Sequence, residues 1–234
     1  MPIRYPPSVH ANALKLVAVL AMLIDHVAYW LAPKGTIWEI SLHAAGRLTA
    51  PIMCFLIAEG YFHTSDLRRY MSRLFVFAAI SHFPFVWFVG MPWWQGTSVI
   101  WSLFMGLVAL SIARHPKIGD IGKWWLVLLC GVLAWTADWS YIGVLWIVCF
   151  GLFRGRFKLQ MLSFAAIGTF CYILPGILDT GLNSVFRFGI LSAIPLLALY
   201  NGERGRKSKV VQWGFYVFYP LHLFVLYVCR AYIF

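Results

Sequence analysis

The sequence predicts an all-α membrane protein, a polytopic bundle of about nine transmembrane helices in one domain, residues 1–234. Hydrophobic residues make up 62% of the chain, charged residues only 12%, and the mean hydropathy is +0.78. Ordinary soluble domains are roughly 45–50% apolar. Apolar stretches of about 20 residues, the length that crosses a bilayer as a helix, recur from one end of the chain to the other. No room is left for a sizeable soluble domain.

The predicted spans follow one another closely, with short polar segments between them. The fifth and sixth are short and separated only by "DWS", so a pair of tilted or half-spanning helices is an alternative there. The spans are 11–32, 44–62, 70–90, 98–113, 124–137, 141–154, 160–178, 184–200 and 211–233.

The distribution of basic residues predicts the orientation. With a cytoplasmic N-terminus, all 19 lysine and arginine residues except Lys34, Arg47, Arg187 and Arg230 fall on the cytoplasmic side. This positive-inside bias predicts N-in and C-out. The net charge of +11 is then mainly a topology signal toward anionic membrane lipids. The scatter over several short loops, with no binding motif, argues against a nucleic-acid partner.

The five cysteines are expected to be packing residues. All fall inside predicted spans, their total is odd, and no CxxC spacing occurs. Neither a disulfide framework nor a metal site is therefore expected.

Asp25 and His26, adjacent in the first span, are the first candidate catalytic residues. An ionisable side chain within the hydrocarbon layer costs several kcal/mol unless it is paired or hydrated, so it indicates a functional site. Neighbouring residues of a helix point about 100° apart. We expect one of the two to engage a second helix while the other faces a cavity. A buried helix–helix hydrogen bond is the structural alternative.

Lys15 shares a helix face with His26. The two are eleven residues apart, close to three turns, and lie roughly 16 Å from each other along the helix. One face thus carries a cation at the cytoplasmic mouth and an imidazole deeper in the membrane. This suits a tunnel that accepts a phosphorylated donor from the cytoplasm. A snorkelling anchor is the alternative for Lys15 alone.

The second span carries two further candidates, Arg47 at its outer end and Glu59 near its inner end. Arg47 can bind a carboxylate or phosphate through two nitrogens of its guanidinium, or stabilise a developing oxyanion. An ion pair with Asp25 is the alternative. Glu59 is a candidate catalytic carboxylate, with a pair to His63, four residues on, as the structural alternative.

Two histidines in later spans can reach the depth of Asp25 and His26. His82 lies at mid-depth in the third span, and His222 lies halfway along the ninth, close to Tyr219. A carboxylate that orients an imidazole is an arrangement typical of a general base. A packing role is the alternative for His82.

Five stretches of the chain, in order, resemble the signature segments of the TraX family. They are "KLVAVLAMLIDH", "GRLTAPIMCFLIAEGYFHT", "RLFVFAAISHFPF", "ADWSYIGVLWI" and "FYPLHLFVL". The chain departs from the family pattern at His82, where many members have glutamate. A shorter similarity, Lys15-x10-His26, resembles the Arg-x10-His element of the membrane acyltransferases that O-acetylate bacterial surface sugars.

The resemblance implies a bacterial inner-membrane acetyltransferase. The expected donor is acetyl-CoA, and the acceptor is a pilin N-terminal amine, as for the family's prototype, or a cell-envelope glycan or lipid. His26 is expected to act as general base or acetyl carrier, with Asp25 orienting it and Arg47 or His222 stabilising the oxyanion. Five residues are expected to bind the donor: Lys15, Arg68, Arg69, Arg73 and Tyr219.

Two other classes of function remain open at this point. A proton-coupled transporter would use Asp25 and His26 as a relay, although the sequence lacks the internal repeat common in such proteins. A non-catalytic membrane chaperone of pilin or envelope assembly would use the same residues as helix–helix contacts.

Overall fold

The computed structural model describes residues 8–206 and 208–233, and the regular structure of that part is entirely helical. Eleven α-helices occur in it, with a π-helical turn, Thr169–Ile173, between α8 and α9 and a 3-10 helix, Gly181–Ser192, between α9 and α10. The α-helices are α1 (Ala11–Leu31), α2 (Ile37–Gly46), α3 (Thr49–His63), α4 (Leu67–Val89), α5 (Val99–Ala113), α6 (Asp120–Leu133), α7 (Ser140–Leu152), α8 (Phe157–Gly168), α9 (Leu174–Thr180), α10 (Ala193–Ala198) and α11 (Lys209–Ile233).

Five helical stretches of the described chain are long and apolar enough to cross a membrane, and α5 and α7 are shorter apolar helices. The prediction of an all-α polytopic bundle is thereby confirmed. The five stretches are Ala11–Leu31, Ile37–His63, Leu67–Val89, Phe157–Ala198 and Gln212–Tyr232.

Two of these stretches differ from the predicted spans. The span predicted at 44–62 begins earlier, because Thr36 caps α2 by accepting a hydrogen bond from the Glu39 amide at 3.3 Å. The spans predicted at 160–178 and 184–200 form one helical path with a π turn just before Pro175. Proline lacks the amide hydrogen that would continue the regular ladder, which accounts for the wider turn there.

Helices α5 and α7 form the buried centre of the bundle. Gly106 of α5 faces Ile147, and Gly151 of α7 faces Leu110, so the two helices approach closely. Trp146 of α7 is fully buried. At the periphery α6 exposes a row of apolar side chains, as a lipid-facing helix does.

The two ends of the bundle carry different basic residues. At one end the chain before α1 pairs with the α10–α11 linker through Val9, whose amide donates to the Leu199 carbonyl at 3.0 Å. Basic residues predicted to be cytoplasmic gather at this end: Lys15, Arg69, Arg73 and Arg204 line one cavity there. Arg47 and Arg187 contact Tyr172 at the other end. The N-in orientation itself stays a prediction. Arg4, Lys207 and the side chain of Lys209 lie outside the described residues.

Substitution of Gly189, in the 3-10 helix, should destabilise the fold. A Cβ at this position would collide with the backbone carbonyl of Ala44 in α2, which no side-chain rotation can relieve. We expect Gly189→Ala to lower stability by about 1–3 kcal/mol, measured as thermal unfolding of the detergent-solubilised protein. Gly214→Ala in α11 is the control, since a Cβ there has no neighbour within 4 Å. Equal melting temperatures for the two variants would contradict this packing.

Candidate functional site

Asp25 and His26 belong to two different hydrogen-bonded groups. The Asp25 carboxylate contacts His43 of α2 and Arg47, the residue after α2. Its Oδ1 lies 2.7 Å from His43 Nδ1, and its Oδ2 lies 2.6 Å from Arg47 Nη2. His26 faces α11, where it contacts His222. The angular step between adjacent helical residues separates the two side chains. His26 is thus held by a residue of another helix, and Asp25 is not its hydrogen-bond partner.

Arg47 is an ion-pair partner of Asp25. Its second terminal nitrogen, Nη1, donates to the Tyr172 hydroxyl at 3.1 Å, and its guanidinium lies over the rings of Trp139 and Phe186. Both terminal nitrogens of the Arg47 guanidinium therefore bond to protein groups. This is the alternative that the sequence left open for Arg47, and its proposed oxyanion role stays a prediction.

The His26–His222 pair has an ordered arrangement of protons. His222 Nδ1 lies 2.9 Å from the Phe218 carbonyl oxygen, which can only accept, so Nδ1 carries the proton. In a neutral ring Nε2 of His222 is then an acceptor, and it lies 2.7 Å from His26 Nδ1, which donates. The neutral His26 ring is consequently left with its lone pair on Nε2. This is the form of imidazole that removes a proton or attacks a carbonyl carbon.

Aromatic rings surround this pair. The His26 ring lies 5.1 Å from Phe88, and the His222 ring stacks on Phe218 at 4.6 Å between centroids. His222 is buried, and His26 is partly buried. Packing on both sides holds the two imidazoles in position.

His82 belongs to neither group. Its Nδ1 lies 3.3 Å from the hydroxyl of Thr97, in the segment that leads into α5. The four side chains expected at one depth thus divide into Asp25 with α2, His26 with His222, and His82 with Thr97. The contacts of His82 fit the packing alternative.

A cavity of about 400 Å³ opens at the basic end of the bundle. Four of the five residues expected to bind the donor line it, whereas Arg68 is exposed outside it. Arg204 and Gln212 also line the cavity, and the sequence analysis had not singled them out as ligand-binding residues. The four expected residues in the lining are Lys15, Arg69, Arg73 and Tyr219.

The inner end of the cavity approaches the histidine pair. Met22 of α1 and Tyr219 of α11 are in its lining, together with Val99 at the start of α5. His26 follows Met22 by four residues and His222 follows Tyr219 by three, so each histidine lies about one turn, roughly 4.5–6 Å, further along its helix. The lined faces of α1 and α11 therefore continue directly to the two imidazoles.

Glu59 is at the open end of this cavity. Arg154 binds its carboxylate with two hydrogen bonds, of 2.9 and 3.1 Å, and His63 Nε2 lies 3.3 Å from it. The hydrogen bonds to Glu59 raise the pKa of Arg154, in the loop after α7, above its usual value. Glu59 thus makes the contact with His63 that was its structural alternative. Through Arg154 it also joins the end of α3 to the loop after α7.

The sequence analysis missed His43, Tyr172 and Arg154 as members of these polar groups. For His43 a signal existed, since it precedes Arg47 by four residues and so shares its helix face. No sequence signal indicated Tyr172, because the direction of its side chain depends on the π turn that contains it. Arg154 was one of many loop cations, and only the tertiary structure pairs it with Glu59.

The fold and the site define a polytopic helical membrane protein with a histidine pair inside the bundle and a basic cavity whose lining ends about one helical turn from that pair. A sequence model described as "TraX protein" matches residues 10–230, and the chain belongs to the TraX family. The family resemblance inferred from the signature segments is confirmed.

Two curated proteins are similar to this chain in sequence. The chain is 27% identical to the "Probable fimbrial assembly protein FimC, serogroup H1" of Dichelobacter nodosus, over 94% of this chain and 95% of that protein. It is 23% identical to an uncharacterized protein of Rickettsia prowazekii (strain Madrid E), over 57% of this chain and 49% of that protein. No solved structure matches the chain.

Neutralising Asp25 should destabilise the protein strongly. Asp25→Asn leaves the Arg47 guanidinium without its counter-charge, and breaking a buried ion pair costs about 3–5 kcal/mol. We expect a clear fall in the melting temperature of the purified protein. Asp120→Asn is the matched control, because the Asp120 side chain is 90% exposed where it pairs with Lys123 and the change should cost at most about 1 kcal/mol. An unchanged melting temperature for Asp25→Asn would contradict the structural role of this pair.

Proposed function

We propose that this protein is an acetyltransferase of the bacterial inner membrane. Its donor is acetyl-CoA, and its acceptor is the N-terminal amine of a pilin or a group on an envelope glycan or lipid. Three observations support the proposal: TraX family membership, a relative named as a probable fimbrial assembly protein, and a histidine beyond a basic cavity whose Nε2 has no hydrogen-bond partner among the described residues.

The unprotonated Nε2 of His26 carries the proposal. A general base needs a lone pair near the proton that it removes, and the chain His26–His222–Phe218 carbonyl assigns the lone pair to that nitrogen. His222 positions the ring and fixes its tautomer, as the orienting group of a catalytic base does. Asp25 supports the same region indirectly, by fixing α1 against α2.

The cavity has the charge and shape for a donor with phosphate groups and a long arm. Cations at its lining attract phosphate oxygens and can hydrogen-bond to them. Lys15 and Arg204 approach from α1 and from the α10–α11 linker, while Arg69 and Arg73 approach from α4. The phosphates would bind among these cations, and the pantetheine arm would extend along α1 toward Met22.

Acetyl transfer then requires one proton to move from the acceptor to His26 and one from His26 to the leaving group. The acceptor nitrogen or oxygen attacks the thioester carbonyl carbon while His26 Nε2 takes its proton, and the carbonyl π electrons move to oxygen. When the carbonyl re-forms, the C–S bond breaks and the imidazolium returns its proton to the thiolate of coenzyme A. In the alternative order His26 Nε2 attacks the carbonyl carbon, the C–S bond breaks and the thiolate of coenzyme A leaves. The acetyl group then passes from Nε2 to the acceptor, whose proton goes to the thiolate.

Removal of the His26 imidazole should abolish turnover. We expect His26→Ala to lower acetyl-CoA-dependent thiol release by about 100-fold or more in nanodiscs with membrane extract as acceptor, since general-base catalysis contributes roughly 10²–10⁴-fold. His115→Ala, a change of an exposed loop histidine, is the matched control and should keep full activity.

Full thiol release by His26→Ala would contradict this mechanism. A wild-type protein that neither binds nor turns over acetyl-CoA, yet moves protons across vesicle membranes, would instead favour the transporter.

Loss of the Lys15 charge should weaken donor binding more than chemistry. Lys15 lines the cavity about 16 Å from His26 along the helix. We expect Lys15→Met to raise the KM for acetyl-CoA about tenfold with little change in kcat, because a hydrogen bond to a charged group contributes about 1.5 kcal/mol. Lys158→Met, an exposed position outside the cavity lining, is the control. A fall in kcat at unchanged KM would contradict the assignment of Lys15 to donor binding.

A further inference from the structure

Three basic side chains in the cavity lining have no counter-charge in the described part of the chain. Lys15 of α1, Arg73 of α4 and Arg204 of the α10–α11 linker all line the cavity. None of the three takes part in the ion pairs formed among the described residues. We call these residues the basic triad. Positive charge without a carboxylate partner attracts an anion, and both lysine and arginine are suited to phosphate oxygens.

The members of the basic triad lie close to one another. Lys15 and Arg204 are near enough to repel each other electrostatically. The Tyr216 hydroxyl, on α11, interacts with both Arg73 and Arg204. Arg73 Nε is buried and has no hydrogen-bond partner among the described residues. Like charges held together cost free energy, and an anion bound between them removes that cost.

The carboxylates of the lining do not neutralise the triad. Asp66 pairs with Arg69 at 3.5 Å, and the Arg69 side chain is 76% exposed. Glu59 is bound by Arg154 through two hydrogen bonds. Within the described lining, the positive charge that lacks a partner is therefore concentrated in the basic triad.

The distance from the triad to the histidine pair matches the pantetheine arm of acetyl-CoA. Lys15 lies about 16 Å from His26 along α1. The arm joins the thioester sulfur to its phosphate through about 13 bonds, which span roughly 16 Å when extended at about 1.25 Å per bond. A thioester placed beside His26 therefore has the phosphate of the arm at the triad.

The volume of the cavity matches one half of the donor. The cavity measures about 400 Å³. Acetylated phosphopantetheine has about 25 non-hydrogen atoms, the size of ligand that a pocket of a few hundred Å³ encloses. The other half of acetyl-CoA, the 3′-phosphorylated adenosine with its own 5′-phosphate, has about as many atoms again and extends beyond the mouth.

We propose that the basic triad binds the phosphate of the pantetheine arm, so that the protein recognises the phosphopantetheine half of acetyl-CoA and leaves the 3′-phosphoadenosine half outside the cavity. This inference rests on the proposed function. A phosphate held by Lys15, Arg73 and Arg204 fixes one end of the arm, and the length of the arm then brings the thioester to His26. The 3′-phosphate contributes little, because it lies beyond the triad.

Donors shortened from the nucleotide end test this recognition. Thiol release is measured in nanodiscs, with membrane extract as acceptor, for acetyl-CoA, 3′-dephospho-acetyl-CoA, S-acetyl-4′-phosphopantetheine and S-acetylpantetheine. We expect the first three donors to have kcat/KM values within threefold of one another. S-acetylpantetheine has no phosphate and should be at least tenfold poorer, since a hydrogen bond to a charged group contributes a factor of about ten.

Variants of the triad assign the phosphate preference to these side chains. Arg204→Gln should reduce the preference for S-acetyl-4′-phosphopantetheine over S-acetylpantetheine about tenfold, and Lys15→Met should do the same. Because the preference is a ratio within one sample, it does not depend on how much of a variant folds. Arg206→Gln is the matched control: the Arg206 side chain is exposed, in the same linker and outside the cavity lining. It should keep the wild-type preference.

A tenfold loss in kcat/KM on removal of the 3′-phosphate alone would overturn this inference, and so would equal use of S-acetylpantetheine and its 4′-phosphate. Either result, beside an inactive His26→Ala, leaves the proposed function standing. An unchanged preference in both Arg204→Gln and Lys15→Met would also overturn the role of the triad. Absence of thiol release from acetyl-CoA by the wild-type protein would overturn the proposed function, and this donor recognition with it.

Discussion

The structure depends on one constraint: a carboxylate within an apolar layer must find its counter-charge and hydrogen-bond donors inside the protein. Asp25 satisfies this with His43 and Arg47, and Arg47 adds Tyr172. This network joins the consecutive helices α1 and α2 to the π turn, where Tyr172 follows Arg47 by 125 residues. It allows a carboxylate to remain in the first span, and it fixes the direction in which the next residue, His26, points.

The helix periodicity then gives two adjacent residues different partners. Because the side chains of Asp25 and His26 diverge by about 100°, one can serve the packing of α2 while the other turns to α11. His26 accordingly pairs with His222, and the Phe218 carbonyl assigns the protons of both rings. A backbone oxygen on the last long helix thus determines which nitrogen of the first helix is basic.

The basic side chains and the histidine pair lie at opposite ends of the cavity. The cavity begins among basic side chains at one end, passes the apolar faces of α1 and α3, and ends at Val99 and Tyr219, one turn before the imidazoles. Glu59, which the sequence offered as a catalytic carboxylate, is bound by Arg154 at the open end. Three polar groups of the described chain therefore have different positions: the Asp25 network between helices, the Glu59–Arg154 pair at the mouth of the cavity, and the histidine pair beyond its inner end.

The sequence by itself determined the class of protein, because the length and apolarity of its helices and the order of its signature segments are local properties. It also indicated Lys15, His26 and His222 as candidates, since an ionisable residue in an apolar helix stands out without any structure. Only the tertiary structure decided which polar groups meet. Arg47 bonds to both Asp25 and Tyr172, and His26 to His222, through contacts between helices that no local pattern specifies. Proton positions depend on such partners.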